Sequence, residues 1–280
     1  MSETLLLGAV AYDPKVVTIW DGFKAWFQSQ GLDFDYVLYS NYERQVAGQF
    51  EGAFHVAWHS PLAWLQAERI ALATGRQAKA IAMRDTDQDL TSVIVGRNVA
   101  SLADLRGLKV AVGAADSPQA TLIPLLFLAE HGLEPDRDFE VVYFDVLLGK
   151  HGDHVGGERE AARALAAGSV DAACMIDGNH LLFTREGTLP AGLTKIIGQT
   201  ELYDHCNFTV LDGQPQALIS QFRRLLFAMR YDDAAVRHLL DLEGLKQWRP
   251  GRISGYSKLA AACDRFGTID AFVREIGGRA

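Results

Sequence analysis

Cysteine is scarce in this chain. Its three cysteines, Cys174, Cys206 and Cys263, are odd in number and scattered, with no metal-ligand spacing among them. That usage fits a reduced, cytoplasmic setting better than a disulfide framework. No run of about 18 apolar residues occurs, so membrane insertion is not expected. The N-terminus lacks a basic segment, and Met1-Ser2-Glu3-Thr4 leads into only a short apolar run, Leu5–Val10. A secretory signal needs more than that. The expectation is a cytoplasmic protein, or a periplasmic one whose signal has been removed. Positive charge is also in deficit: 27 Lys and Arg face 35 Asp and Glu, a net charge of −8. That balance argues against nucleic acid or an acidic membrane surface as partner. Repeats, low-complexity tracts and long linkers are missing as well.

What is present is an ordinary globular composition, 49% hydrophobic and 22% charged over 280 residues. That length suits two lobes or one large α/β domain. Buried strands are expected at residues 5–10, 34–39, 53–58 and 79–84. Helices are expected at 16–30, 41–48 and 62–71; the first shows helical spacing through Val16, Ile19, Trp20, Phe23, Trp26 and Phe27. A second set begins at Lys109, with strands at 139–144, 170–176, 195–197 and 206–211 and a helix at 158–167. Helices at 214–230, 234–242 and 258–267 form a wholly helical tail expected to pack on the first set. Alternation of strand and helix implies parallel sheets with helices on both faces. The fold class is therefore α/β. The expected organisation is lobe I at 1–91 plus 212–280 and lobe II at 92–211, joined by crossover strands near 91–96 and 206–211.

In such sheets ligands bind beyond the carboxyl ends of the strands. Tyr12, Tyr39, Trp58, His59, Ser60 and Arg84 fall at strand ends, where aromatic rings and polar tips suit a small-molecule cleft. For each, the alternative is a core-edge or surface residue. The stretch Asp116-Ser117-Pro118-Gln119-Ala120-Thr121 lies between an apolar strand and a helix. Ser117 suits the N-cap and Pro118 the first helical position. The amides of Gln119, Ala120 and Thr121, with the hydroxyls of Ser117 and Thr121, are then expected to face outward and hold an anion. The alternative is a plain capping motif.

Ser101-Leu102-Ala103-Asp104-Leu105-Arg106-Gly107-Leu108-Lys109-Val110-Ala111 resembles the run that introduces the second lobe in type 2 periplasmic binding proteins. Within that superfamily the chain looks most like the phosphate/phosphite/phosphonate branch. His55-Val56-Ala57-Trp58-His59-Ser60-Pro61-Leu62-Ala63 matches its first-lobe strand. The 116–121 turn followed by Leu122-Ile123-Pro124 matches its ligand-binding helix start, and Gly168-Ser169-Val170-Asp171-Ala172-Ala173 its later strand. The match covers about residues 5–215. It implies a two-lobed periplasmic-binding-protein-like fold, each lobe a mainly parallel sheet flanked by helices, with a small anion held between lobes that close by hinge motion. It also implies a transporter as partner if the chain is exported. Three departures stand out. Pro118, Gln119 and Ala120 dilute the Ser/Thr turn; Glu158-Arg159-Glu160 replaces a His-Asp/Glu pair; Leu90-Thr91 replaces a tyrosine pair. A carboxylate-bearing or aromatic anion is therefore as open as a phosphonate.

Other constellations bear on that choice. The resemblance puts polar ligand contacts at Asp177, Asn179 and His180. An Asp beside an anion needs a proton or a cation, which Arg159 or Arg84 would supply. The sequence makes no cofactor certain. A divalent transition metal held by His151, Asp153 and His154 in the glycine-rich loop is one reading, and a solvated loop the other. His205 and Cys206, as neighbours on a strand, are expected to point to opposite faces and not to pair. The second functional reading is a cytoplasmic enzyme on the same fold, of lyase or decarboxylase type. It would act on an aromatic or carboxylic acid with His59 or the 151–154 loop moving the proton.

Overall fold

The structure is a computed structural model, and it describes residues 4–151 and 157–279. In chain order the elements begin with β1 (Leu5–Val10), α1 (Lys15–Ser29), β2 (Phe34–Tyr39), α2 (Tyr42–Phe50), β3 (Val56–His59), α3 (Pro61–Ala73) and β4 (Ala78–Arg84). There follow β5 (Ser92–Gly96), β6 (Lys109–Val112), α4 (Ile123–Glu130), β7 (Glu140–Tyr143), α5 (Glu158–Ala167), β8 (Ala172–Ile176), α6 (Asp177–Arg185) and β9 (Lys195–Gln199). The chain closes with β10 (Asn207–Leu211), α7 (Gln216–Ala228), α8 (Ala234–Glu243), β11 (Trp248–Pro250), α9 (Ser257–Phe266) and α10 (Asp270–Gly277).

Two compact units result. The first comprises residues 1–88, 204–255 and 269–280; the second comprises 89–203 and 256–268. The sheet of the first unit runs β11-β4-β10-β3-β1-β2, and that of the second β7-β6-β8-β5-β9. Both are mixed with most strands co-directional: β1, β2, β3 and β4 run one way against β10 and β11, and β6, β7, β8 and β9 run one way against β5. β1 pairs parallel with β2 and β3, as β6 does with β7 and β8. β10 and β5 each run antiparallel to both neighbours. Each of these two strands follows closely on a crossing between units, so it enters its sheet without the helical crossover that a parallel strand requires.

Two expected boundaries differ for the same reason. β10 belongs wholly to the sheet of the first unit, so the chain re-enters that unit at Asp204 rather than after residue 211. The tail is not wholly helical, nor does all of it join the first unit. β11 pairs antiparallel with β4, and α9 packs on α4 in the second unit. α10, unforeseen in the sequence, packs on α3.

Local chemistry explains the helices. α1 buries Val16, Ile19, Trp20, Phe23 and Phe27, the spacing of one helical face. It stops at Gln30 and Gly31, the latter at φ +78°. Phe27 lies 4.8 Å from Phe34 and 5.2 Å from Phe222 between ring centroids, so α1 is pinned to β2 and α7. Losing such a fully buried ring costs about 3–5 kcal/mol. The second unit divides its core between the two sheet faces: Ile94, Val110, Val112 and Cys174 on one, Val93, Val95, Ala111 and Met175 on the other. No described helix is long and apolar enough to cross a membrane.

Candidate functional site

In the second unit β6, β7 and β8 are parallel, so their carboxyl ends share one sheet edge, where β5 begins. That edge gathers Thr91, Ser92, the 113–122 turn, residues 144–151 and the start of α6. The expected cap is present: Ser117 Oγ accepts from Ala120 N at 3.2 Å, with Pro118 next in line. The helix then opens on a π-type turn, Pro118–Leu122, closed by Leu122 N donating to Ser117 O at 2.9 Å.

The tighter accounting corrects the expected donor set. Ala120 N is spent on Ser117 Oγ and Thr121 N on Ser117 O, while Thr121 Oγ1 donates to Ala114 O at 2.8 Å. These two amides do not face outward. The Ser117 hydroxyl accepts in this arrangement and keeps its proton to donate. Gln119 is buried, with its carbonyl taking the Ser92 hydroxyl at 2.5 Å. Ala115 and Thr121 border a cavity of about 750 Å³ within this unit, whose other walls include Leu122, Leu125, Tyr143 and Phe266.

Three acidic side chains brace the same edge. Asp116 Oδ2 accepts from Gly149 N at 2.7 Å and His151 N at 3.2 Å, fastening the following loop to the turn. Glu158, fully buried, accepts from Ile176 N at 3.0 Å and Asn179 Nδ2 at 2.8 Å. Asp177 accepts from Thr91 Oγ1 at 2.8 Å, and Gln199 Nε2 donates to that hydroxyl at 2.9 Å. Residues 177–180 are the first turn of α6. His180 is half-buried, and burial holds its imidazole below the usual histidine value, hence neutral at pH 7. Arg159 does not reach toward Asp177. It pairs with Glu186 and lies 4.7 Å over the Phe183 ring. His151 is buried, whereas Asp153 and His154 lie outside the described residues.

In the first unit the carboxyl ends of β1, β2, β3 and β4 share one edge, bringing Tyr12, Tyr39, His59, Ser60 and Arg84 to it. Tyr12 and Tyr39 are partly buried, and Tyr39 meets Phe54 edge-on at 5.6 Å. His59 is fully buried, opposite Asn207 in the register. Ser60 Oγ caps α3 by accepting from Ala63 N at 3.1 Å, with Pro61 as the first helical residue. Trp58 does not form a ligand platform. Its ring is in the core, 4.6 Å from Phe208 and 5.9 Å from Trp248.

Arg84 is likewise committed. Nε and Nη2 donate to Asp87 at 2.5 and 2.8 Å, and Nη1 donates to Glu243 O and Oε1 at 2.9 and 3.2 Å. Two carboxylates surround one guanidinium, so it has no charge to offer an anion. The expectation for His205 and Cys206 is also corrected. Both precede β10 rather than lying in it, and Cys206 Sγ sits 3.1 Å from His205 Nδ1. Without strand geometry, neighbouring side chains are free to share a face.

Sequence reasoning missed Asp87, Glu243, Ser92 and Tyr203. Asp87 lies three residues from Arg84 in a polar run, a usable local signal. Glu243 is 159 residues away from Arg84, and the Ser92–Tyr203 hydroxyl contact of 2.7 Å spans 111. Neither pairing has a local signature.

Comparison with known proteins agrees with this architecture. A family model described as "ABC transporter, phosphonate, periplasmic substrate-binding protein" matches residues 9–256. No curated protein matches the chain. Among solved structures it is similar to PhnD1 from Prochlorococcus marinus in complex with methylphosphonate, with TM-score 0.71 and 18% identity over 95% of this chain and 99% of that one. It is similar to a binding protein component of an ABC phosphonate transporter from Pseudomonas aeruginosa, with TM-score 0.63 and 14% identity over 100% and 98%. XAC2383 from Xanthomonas citri, bound to ATP, gives TM-score 0.66 and 16% identity over 98% of both chains. At these identities the structural likeness is one of fold: the two-lobed periplasmic-binding-protein-like arrangement.

Proposed function

Because the chain belongs to the family of ABC-transporter periplasmic substrate-binding proteins for phosphonate, we propose that it captures a small phosphonate-class oxyanion and delivers it to a membrane transporter. The observation that carries the reading is the family match over residues 9–256, which takes in both strand-edge clusters. The family assignment favours binding over the lyase or decarboxylase alternative.

Local chemistry refines the ligand. The helix start at Pro118 offers partial positive charge, and the Ser117 hydroxyl has a proton to give. Asp177 brings negative charge to the same edge, while Arg159 of this unit is already paired with Glu186. A ligand that met only this edge would suffer like-charge repulsion unless it carried a cation of its own. The preferred ligand is therefore an aminoalkyl phosphonate, its oxyanion on the helix start and its ammonium toward Asp177.

Calorimetry tests this with methylphosphonate, 2-aminoethylphosphonate and inorganic phosphate as probes. The aminoalkyl compound is expected to bind tightest. Ser117→Ala is expected to weaken it at least about tenfold, the scale of one lost charge-assisted hydrogen bond. Unchanged affinity in that variant, or no binding of any probe, refutes the reading.

A further inference from the structure

Asp87, His205 and Cys206 place a carboxylate, an imidazole and a thiol together in the first unit. All three are buried, and their donor atoms lie within 4.8 Å of one another. Cys206 Sγ is 3.1 Å from His205 Nδ1, which is 3.4 Å from Asp87 Oδ1. Around a tetrahedral ion with bonds of about 2.0–2.3 Å, neighbouring ligand atoms stand about 3.3–3.6 Å apart. These two contacts differ from that spacing by only a few tenths of an ångström, and the third, between Cys206 and Asp87, is within 4.8 Å. We propose that Cys206 Sγ, His205 Nδ1 and Asp87 Oδ1 form a binding site for a divalent transition ion of the Zn²⁺ class, apart from the phosphonate-binding reading above.

The charge around the cluster supports a cation. Arg84, Asp87 and Glu243 form one buried network of a single positive and two negative groups, with side chains 6%, 2% and 4% exposed. The ion's two positive charges would be met by the Asp87 carboxylate and the Cys206 thiolate, beside a guanidinium that two carboxylates already surround. The thiol proton leaves to solvent as the S–metal bond forms.

The supporting bonds are those a metal site needs. Arg84 grips both Asp87 oxygens and is itself held by Glu243, so the carboxylate is oriented and Oδ1 retains a second lone pair. His205 N donates to Asp87 O at 2.8 Å, which locks the two ligand-bearing segments together. The donor set selects the ion. Sulfur and imidazole nitrogen exclude Mg²⁺ and Ca²⁺ and suit Zn²⁺ or Co²⁺, with a water as fourth ligand.

The test uses the full chain stripped of metal and titrated with Co²⁺. A thiolate-to-cobalt charge-transfer band in the near ultraviolet is expected, displaced by equimolar Zn²⁺. Cys206→Ser and His205→Gln are each expected to weaken Co²⁺ binding at least about tenfold. A Cys174→Ser, Cys263→Ser double variant keeps Cys206 as the remaining cysteine and is expected to keep the band, so the assignment does not depend on the folding of a ligand variant. The proposal is overturned if the wild-type chain gives no such band. It is also overturned if the band disappears in the double variant with native circular dichroism, or survives Cys206→Ser.

Discussion

Replacing Arg84 with methionine isolates the energetics of the buried network in the first unit. Methionine keeps much of the side-chain length and its packing beside Trp58, whose ring lies 5.2 Å from the guanidinium. It removes four hydrogen bonds, two to Asp87 and two to Glu243. Both carboxylates then remain buried without their counter-charge. Breaking a buried pair by deleting one partner costs about 3–5 kcal/mol. For a domain of this size about 2–4 °C is lost per kcal/mol, so the melting midpoint should fall by roughly 6–20 °C at pH 7.

The pH dependence separates this cause from simple loss of packing. Burial alone pushes the Asp87 carboxyl up. The Arg84 guanidinium, helped by His205, overrides it and holds the group well below the ordinary carboxylate range. In the wild type the resulting stabilisation is complete above the unfolded value of about 3.9 and is lost as pH falls through the lowered folded value. In Arg84→Met burial acts with less opposition, so Asp87 titrates higher than in the wild type. Acidification from pH 7 toward 4 then relieves more of the variant's penalty, and the gap between the two proteins should narrow. Thermal unfolding by calorimetry across that range provides the measurement. A midpoint shift below about 2 °C at pH 7, or a gap that stays constant with pH, would refute the argument.

Two further outcomes follow from the second unit. Burial, with the nearby Glu158 charge, pushes the Cys174 thiol up to about 12; at pH 8 only about one molecule in ten thousand is then thiolate, so iodoacetamide should leave Cys174 unmodified in mass spectra until the protein is unfolded. Gly157, at φ +78°, precedes α5, and an added Cβ would lie 2.0 Å from Phe144 O; Gly157→Ala should cost at least about 2 kcal/mol in urea unfolding, and a neutral effect would contradict the described backbone.

Features written in short-range patterns were legible in the sequence. The spacing of Val16, Ile19, Trp20, Phe23 and Phe27 marks α1 because one helical face repeats every three to four residues. Ser117-Pro118 and Ser60-Pro61 mark helix starts because a cap and a first-turn proline act within four residues. The strand–helix alternation carries the α/β class in the same way. The three-residue β11 was missed because its partner β4 lies far back in the chain and supplies the pairing.

Alone, then, the sequence determined the element order from β1 to β4, the caps and the family-type motifs, all governed by torsional preference and local hydrophobic period. The tertiary structure decided the fate of the charged and reactive side chains. Arg84 reads as an anion receptor until Glu243 is brought beside it, and Cys206 reads as inert until the chain before β10 leaves strand geometry and puts His205 against it. The reason is physical: the protonation and availability of a polar group depend on what desolvates and neutralises it, and those neighbours come from distant parts of the chain.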